Sequence, residues 1–420
     1  MMLRAVAGLI LGGAALARAQ DTLAPMIVIR AATILDGRGG RIANGAVVVR
    51  GDRIVDVVPP PRVTSAIRRA GVVYDLGSAT VLPGLIDGHV HFVSYFNGAG
   101  RVHTRDDGDT PTQSALAIAA NLRRMLLSGV TTVQSMGAAE DAAFRDAVAT
   151  GAIAGPRILT TLQPITNEQL SADSLRALVR QRKAAGADAI KIFASKSIRE
   201  GGTTTMSAEQ MAALCGEAKS LGLRTLVHAH SEESMRITSE AGCTQIEHGV
   251  FATPEVLRLM AQRGTYFEPQ CGLIFRNYLE NRAKYEGTGN FTAEGFAAME
   301  RAIPMAANVI RVAQATPNLK ILWGTDAVAG AHGRNVDDLI CRVREGGQPA
   351  SAALISATSA AAEALGLGNE IGSLARGYRA DIIATRGDPS RDIDALRRVM
   401  FVMHDGHVHR VDAPAHVSTR

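Results

Sequence analysis

Seven residues of this chain have types and spacings that could assemble chemistry: His89, His91, Lys191, His228, His230, His248 and Asp326. His89 and His91 close the run Val81-Leu82-Pro83-Gly84-Leu85-Ile86-Asp87-Gly88-His89-Val90-His91-Phe92. A continuous apolar run bounded by Gly and Pro reads as a strand buried on both faces. Residues i and i+2 of a strand point the same way. The two imidazoles therefore project together and make half of a preformed metal site. His228 and His230 repeat the spacing in Val-His-Ala-His, His248 ends Ile-Glu-His, and Asp326 follows Trp-Gly-Thr. Lys191 sits between Ile190 and Ile192, an odd place for a cation. Singly, each has an ordinary reading. A strand-end histidine is hydrogen-bonded structure, an Asp after Gly-Thr caps a helix or turn, and a Lys reaches solvent. Seven of them at one end of one architecture point instead to a metal centre.

That architecture follows from the hydrophobic period. Residues 25–80 alternate short apolar runs with turns at Asp36-Gly37 and Gly51-Asp52, which predicts a small antiparallel sheet. After His91 the period changes. A helix opens at Asp109-Thr110-Pro111, runs to Leu127 and is ended by Gly129. Strands are predicted at 131–134, 157–162, 189–193, 224–229, 244–247, 265–269 and 320–325, with helices between them. Ser207-x-x-Gln210 is a capping box for one of those helices. With the His89 strand these make eight alternating units, the pattern of a (β/α)8 TIM barrel. Beyond Gly368 short strand patterns return at 380–385, 398–403 and 408–411. The fold expected is α/β. A barrel over 81–368 is joined to a small β-sandwich domain built from both chain ends, 20–80 and 369–420. Barrel active sites form at the C-terminal ends of the strands, where the seven residues fall.

Composition narrows the classes. With 46% hydrophobic and 20% charged residues in 420, the chain can bury a barrel-sized core. The formal charge of +5 comes with no Lys/Arg block interleaved with aromatics, which excludes a nucleic-acid partner. Residues 1–19 run from a basic start at Arg4 through an apolar stretch to Ala17-Arg18-Ala19, the pattern of a signal peptide cleaved before Gln20. An exported protein, periplasmic or secreted, is expected, with no membrane span in the mature chain. The four cysteines, Cys215, Cys243, Cys271 and Cys341, form no C-x-x-C pair, and spacing cannot decide a pairing. Four buried free thiols are expected.

The motifs together resemble the amidohydrolase superfamily, in the branch of metal-dependent hydrolases similar to imidazolonepropionases and Xaa-Pro dipeptidases, which includes ochratoxin-hydrolysing amidases. The resemblance covers nearly all the mature chain. It is carried by Pro-Gly-Leu-Ile-Asp-Gly-His-Val-His (83–91), Val-His-Ala-His (227–230), Ile-Glu-His-Gly (246–249), Gly-Thr-Asp-Ala (324–327) and Gly-Ser-Leu-Ala-Arg-Gly-Tyr-Arg-Ala-Asp-Ile (372–382). It implies that His89, His91, His228 and His248 ligate metal. Lys191 would be carboxylated by carbon dioxide to a bridging carbamate, and Asp326 would be both ligand and general base. His228 rather than His230 is assigned to metal by its match to the family, leaving His230 to face substrate. Two divalent ions, zinc by preference, would hold a hydroxide between them and polarise the scissile carbonyl.

The implied activity is hydrolysis of amide bonds in dipeptides or N-acyl amino acids. A mononuclear cyclic-amide hydrolase or deaminase is the alternative that Lys191 argues against, and an inactive scaffold is a more distant one. Lys196 and Arg199 lie on the loop after Lys191, where a cation could grip a substrate carboxylate. His103, Arg105, Tyr266, Gln270 and His332 flank other strand ends without deciding anything. The partner expected is a small-molecule substrate, with a homo-oligomer left open.

Overall fold

The computed structural model describes residues 24–412 and 416–419, so the leader expected at 1–19 lies outside the described residues. The chain divides into two compact units, one ending at Gly84 and resuming at Asn369, the other Leu85–Gly368.

The first unit begins with β1 (Ile27–Leu35), β2 (Arg41–Arg50), β3 (Arg53–Val58), β4 (Val72–Asp75) and β5 (Thr80–Pro83), with a helix at Pro60–Arg69. The second contains β6 (Leu85–Val90), β7 (Val130–Ser135), β8 (Arg157–Thr160), β9 (Ala189–Phe193), β10 (Arg224–Ala229), β11 (Gln245–His248), β12 (Tyr266–Glu268) and β13 (Lys320–Ile321). The chain returns to the first unit for β14 (Ile382–Thr385), β15 (Val399–His404), β16 (His407–Val411) and β17 (His416–Thr419).

The expected sandwich is instead one nine-stranded sheet that forks at β1. β2 pairs along the whole of one edge of β1. On the other edge, Ile27–Arg30 bond β4 and Thr33–Ile34 bond β5, both in parallel. One prong continues through β17, the other through β14, β15 and β16. The prongs share a core: Ile29, Val47, Val81, Ile382 and Phe401 are buried together, and Tyr74 of β4 meets Phe401 edge-on at 5.3 Å between ring centroids. Alternate residues of β2, Ala46 and Val48, face the opposite side, where Val63 and Ala66 of the helix cover them.

The apolar run around His89 is two strands, not one. The Gly84 N–H donates to the Asp381 carbonyl in the first unit, and the next N–H, that of Leu85, donates to the Gly129 carbonyl in the second. The register breaks at the glycine, and the run changes sheets.

In the second unit all eight strands are parallel, but the ring of ladders is not closed. β6–β7–β8 form one sheet and β9–β10–β11–β12–β13 another. Isolated bridges span the two seams, Ile165 with Ile192 and Val90 with Ala327. β13 is only two residues long, because the chain leaves strand geometry before Gly324-Thr325-Asp326. The helices start where the sequence says. Thr110 and Gln113 close a capping box at Pro111–Leu127, and Ser207 and Gln210 close another at Ala208–Ser220. Between β12 and β13 the chain adds helices Leu273–Glu280, Arg282–Tyr285 and Ala293–Gln314.

The cysteine expectation is overturned. Cys215 pairs with Cys243 and Cys271 with Cys341, at Cα separations of 5.1 and 5.8 Å. Packing brings together residues 28 and 70 apart in sequence, a proximity that spacing alone does not carry. Among the described residues no helix is long and apolar enough to cross a membrane.

Candidate metal centre

β6 brings His89 to the cavity and His91 follows at its C-terminal end. β9 brings Lys191, β10 brings His228 with His230 just beyond, and β11 ends in His248. Asp326 follows β13. All seven line one cavity of about 350 Å³, with Arg199, Tyr278, Phe193 and Phe275 on its other walls.

Two of the seven are held in left-handed backbone, His248 at φ 71° and Asp326 at φ 57°. Such conformations cost a non-glycine residue on the order of 1–3 kcal/mol and persist where the surroundings impose them. For Asp326 the surroundings include Asp87. Its carboxylate accepts from the Thr325 N–H at 3.1 Å, from the Thr325 Oγ1 at 2.7 Å and from the Asn335 Nδ2 at 2.7 Å. Burial pushes the Asp87 carboxyl up to about 6.

The ring nitrogens of His228, His230 and His248 offer ligand atoms within 4.8 Å of one another, and so do His89, His248 and Asp326. His91 Nε2 lies 3.1 Å and His89 Nε2 3.3 Å from Asp326 Oδ1. Geometry therefore groups His230 with His228 rather than separating them. Burial drives His228 and His248 well below the usual histidine range, and His230 down to about 3. Burial works against a charge on His89, yet the Glu247 and Asp326 carboxylates outweigh it and raise the imidazole to about 10. Burial would also raise Asp326, but His89 and His91 hold it well below the usual carboxylate range. Neutral, lone-pair-bearing imidazoles beside an ionised carboxylate suit a divalent ion of zinc type. The buried His230 Nδ1 has no hydrogen-bond partner, a polar atom left open in the same cluster.

Lys191 is fully buried, and its Nζ rests against the Glu247 carboxylate, with His89 Nδ1 at 3.4 Å from the same oxygen. Glu247 and Glu268 were not singled out by sequence as parts of the site, and Gln270 was named only as flanking a strand end. Glu268 Oε2 sits 3.0 Å from His89 Nδ1 and 2.7 Å from Gln270 Nε2, while Gln270 Oε1 sits 2.6 Å from His248 Nδ1. Burial raises Glu268 to about 8. The available signal was strand alternation: Glu268 and Gln270 lie two apart, as do the histidine pairs.

The loop after β9 divides the two cations expected there. Arg199 reaches the cavity. Its Nε donates to Asn290 Oδ1 at 2.6 Å, and its guanidinium stacks over Phe291 at 4.3 Å and Tyr278 at 5.3 Å. Lys196 does not line the cavity. Its side chain is 46% exposed and lies 3.8 Å from Glu168, because its backbone N–H bonds the Thr203 carbonyl and turns the side chain outward. His103 bonds Asp107 and stacks on Tyr95, Tyr266 lies under Lys320, and His332 bonds the Ser94 carbonyl; none lines the cavity.

The sequence profile of the amidohydrolase family matches residues 80–411. Ochratoxinase of Aspergillus niger is 23% identical over 434 aligned positions, covering 91% of this chain and 85% of its own. An imidazolonepropionase of Rhizobium meliloti is 26% identical over 279 positions, covering 56% and 66%. Among solved structures, a Xaa-Pro dipeptidase with methionine bound in the active site has a TM-score of 0.80 at 29% identity, covering 92% of this chain and 100% of that one.

Proposed function

The chain belongs to the amidohydrolase family, a family of hydrolases, and on that premise we propose that it cleaves amide bonds of dipeptides or N-acyl amino acids with two divalent ions, zinc by preference. The observation that carries this reading is one cavity joining a buried histidine–aspartate cluster to a clamped arginine. His89, His91, His228, His248 and Asp326 would hold the ions, with Lys191 as a carbamate formed from carbon dioxide. When bound, such ions supply Lewis acidity and an acidified water at neutral pH.

The chain's own residues do the rest. Asp326, kept ionised by His89 and His91, takes a proton from the attacking water on a carboxylate oxygen and returns it to the leaving amine. His230, kept neutral by burial, faces the substrate as an uncharged hydrogen-bonding group. Arg199 has lost its side-chain freedom to Asn290, Phe291 and Tyr278, so little further ordering is needed to pair it with a substrate carboxylate. Ile198, Ile274, Phe275 and Val328 complete an apolar wall. The carboxylate of the leaving amino acid on Arg199 would fix the scissile carbonyl within the histidine cluster.

The test compares an N-acyl amino acid with its C-terminal amide on zinc-loaded protein. Loss of one charged hydrogen bond predicts kcat/KM about 10- to 150-fold lower for the amide. Equal rates would reject Arg199 as the anchor, and no hydrolysis of either, across acyl and side-chain variants, would reject the reading.

One observation favours a mononuclear cyclic-amide hydrolase or deaminase. The Lys191 ammonium already has a carboxylate partner in Glu247, and in that state needs no carbamate. Metal analysis separates the two. Two ions per chain, with most metal lost in Lys191→Ala, supports the first; one ion and undiminished activity supports the second. Export is likewise our proposal. It rests on the leader-like residues 1–19 and on two disulfides, which persist in oxidising compartments.

A further inference from the structure

We propose that Gln270 and Glu268 are positioning residues that act as one clamp, setting the tautomer of His248 and the ring orientation of His89. The inference rests on reading those two histidines as metal ligands, and it adds how each is made to present the correct nitrogen.

The logic is one of donors and acceptors. Taken as the carboxylate, Glu268 has only acceptors to offer, so its Oε2 takes the Nδ1–H of His89, 3.0 Å away. The Gln270 atom facing that oxygen, at 2.7 Å, is therefore the donating amide nitrogen. An amide has one nitrogen and one oxygen, so Oε1 is left for His248 Nδ1 at 2.6 Å. An acceptor there requires the proton on Nδ1. A neutral His248 then carries its lone pair on Nε2, the atom left to ligate. His89 likewise keeps a proton on Nδ1, whether its ring is neutral or charged, and turns Nε2 to Asp326 at 3.3 Å. Outer-shell partners of this kind orient ligands and fix tautomers.

The clamp is rigid at both ends. Gln270 follows two residues after Glu268, just past the end of β12, and the bond between their side chains holds both toward the histidines. Glu268, Gln270 and His89 are all at least 96% buried, so bulk solvent competes little for their bonds. Space for the Glu268 carboxylate exists only because residue 324 is glycine. A Cβ there would fall 2.6 Å from Glu268 Oε1 and 2.8 Å from His89 Cβ.

The experiment has two readouts besides turnover. Nitrogen-15 NMR of histidine-labelled, metal-free protein reports which ring nitrogen of His248 carries the proton. The wild type should show Nδ1–H. In Gln270→Met, similar in volume but without either polar atom, that preference should be lost, and zinc affinity measured by chelator competition should fall about 10–100-fold. A wild-type His248 protonated on Nε2 overturns the proposal without any variant, which covers the case of a variant that fails to fold. So does a folded Gln270→Met in which either readout stays at its wild-type value, even if its Tm drops. Because the NMR arm needs neither substrate nor metal, its failure is distinct from a failure to find amide hydrolysis.

Discussion

Asp326 concentrates two demands on one residue. It holds a left-handed backbone that disfavours any side chain, and its carboxylate oxygen meets both His89 and His91. If it is the proton carrier, Asp326→Asn keeps the shape and removes the basic oxygen. Turnover should then fall at least about 10²-fold with the fold intact, the usual scale for general acid–base groups. Circular dichroism and single-turnover kinetics read the two sides, and near-normal turnover with metal still bound rejects the role. Residues like this one were legible in the sequence because a histidine pair or a lysine inside an apolar strand has few other uses. Glu247 was not, since a glutamate beside His248 reads as an ordinary polar neighbour until the pleat turns it inward on Lys191. Nor was the outward turn of Lys196, which depends on the bond from its backbone to Thr203 and not on its type.

At the scale of elements, strands and capped helices came through well because their signals are local. Thr110 and Ser207 mark helix starts within three residues of sequence. The long-range ties did not come through. Arg342, on the helix Val336–Arg344, is wholly buried. Its Nε donates to Asp338 at 3.2 Å and its guanidinium also caps the Leu322 and Pro269 carbonyls beside β13 and β12. The same Asp338 accepts the Cys271 and Gly272 N–H groups at 2.8 and 3.2 Å. Sequence analysis placed no weight on this arginine, since arginine is ordinarily a surface residue. Arg342→Met should leave Asp338 charged and buried without its counter-ion. Unfolding in urea should then show a loss of about 3–5 kcal/mol, the cost of breaking a buried pair from one side. A loss within about 0.5 kcal/mol, the range of surface substitutions, would show the pair to be unimportant to stability.

For the whole molecule, both disulfides lie in the Leu85–Gly368 unit and close loops of 28 and 70 residues. Loop-closure entropy assigns them about 3.6 and 4.4 kcal/mol of restriction on the unfolded chain. Reduction should lower the denaturant midpoint, and Cys271→Ser/Cys341→Ser should account for the larger share. Identical unfolding curves with and without reductant would contradict the pairing. The hydrophobic period switches near Gly84 and again near Gly368, where the chain passes from one compact unit to the other. The fork at β1 was not legible in the sequence, since one strand's two partners on a single edge cannot be read from alternation alone. That fork also sets a timetable. Strand β5 bonds β14 on the side away from β1, and β14 is made about 300 residues later, which at about 5–20 residues per second is a wait of roughly 15–60 s. Until then a newly made chain carries a naked strand edge of Thr-Val-Leu-Pro, ready to join a neighbour's backbone instead of its own. A strand made later thus protects one made much earlier, and a chain cut short before residue 382 would be sticky as well as incomplete.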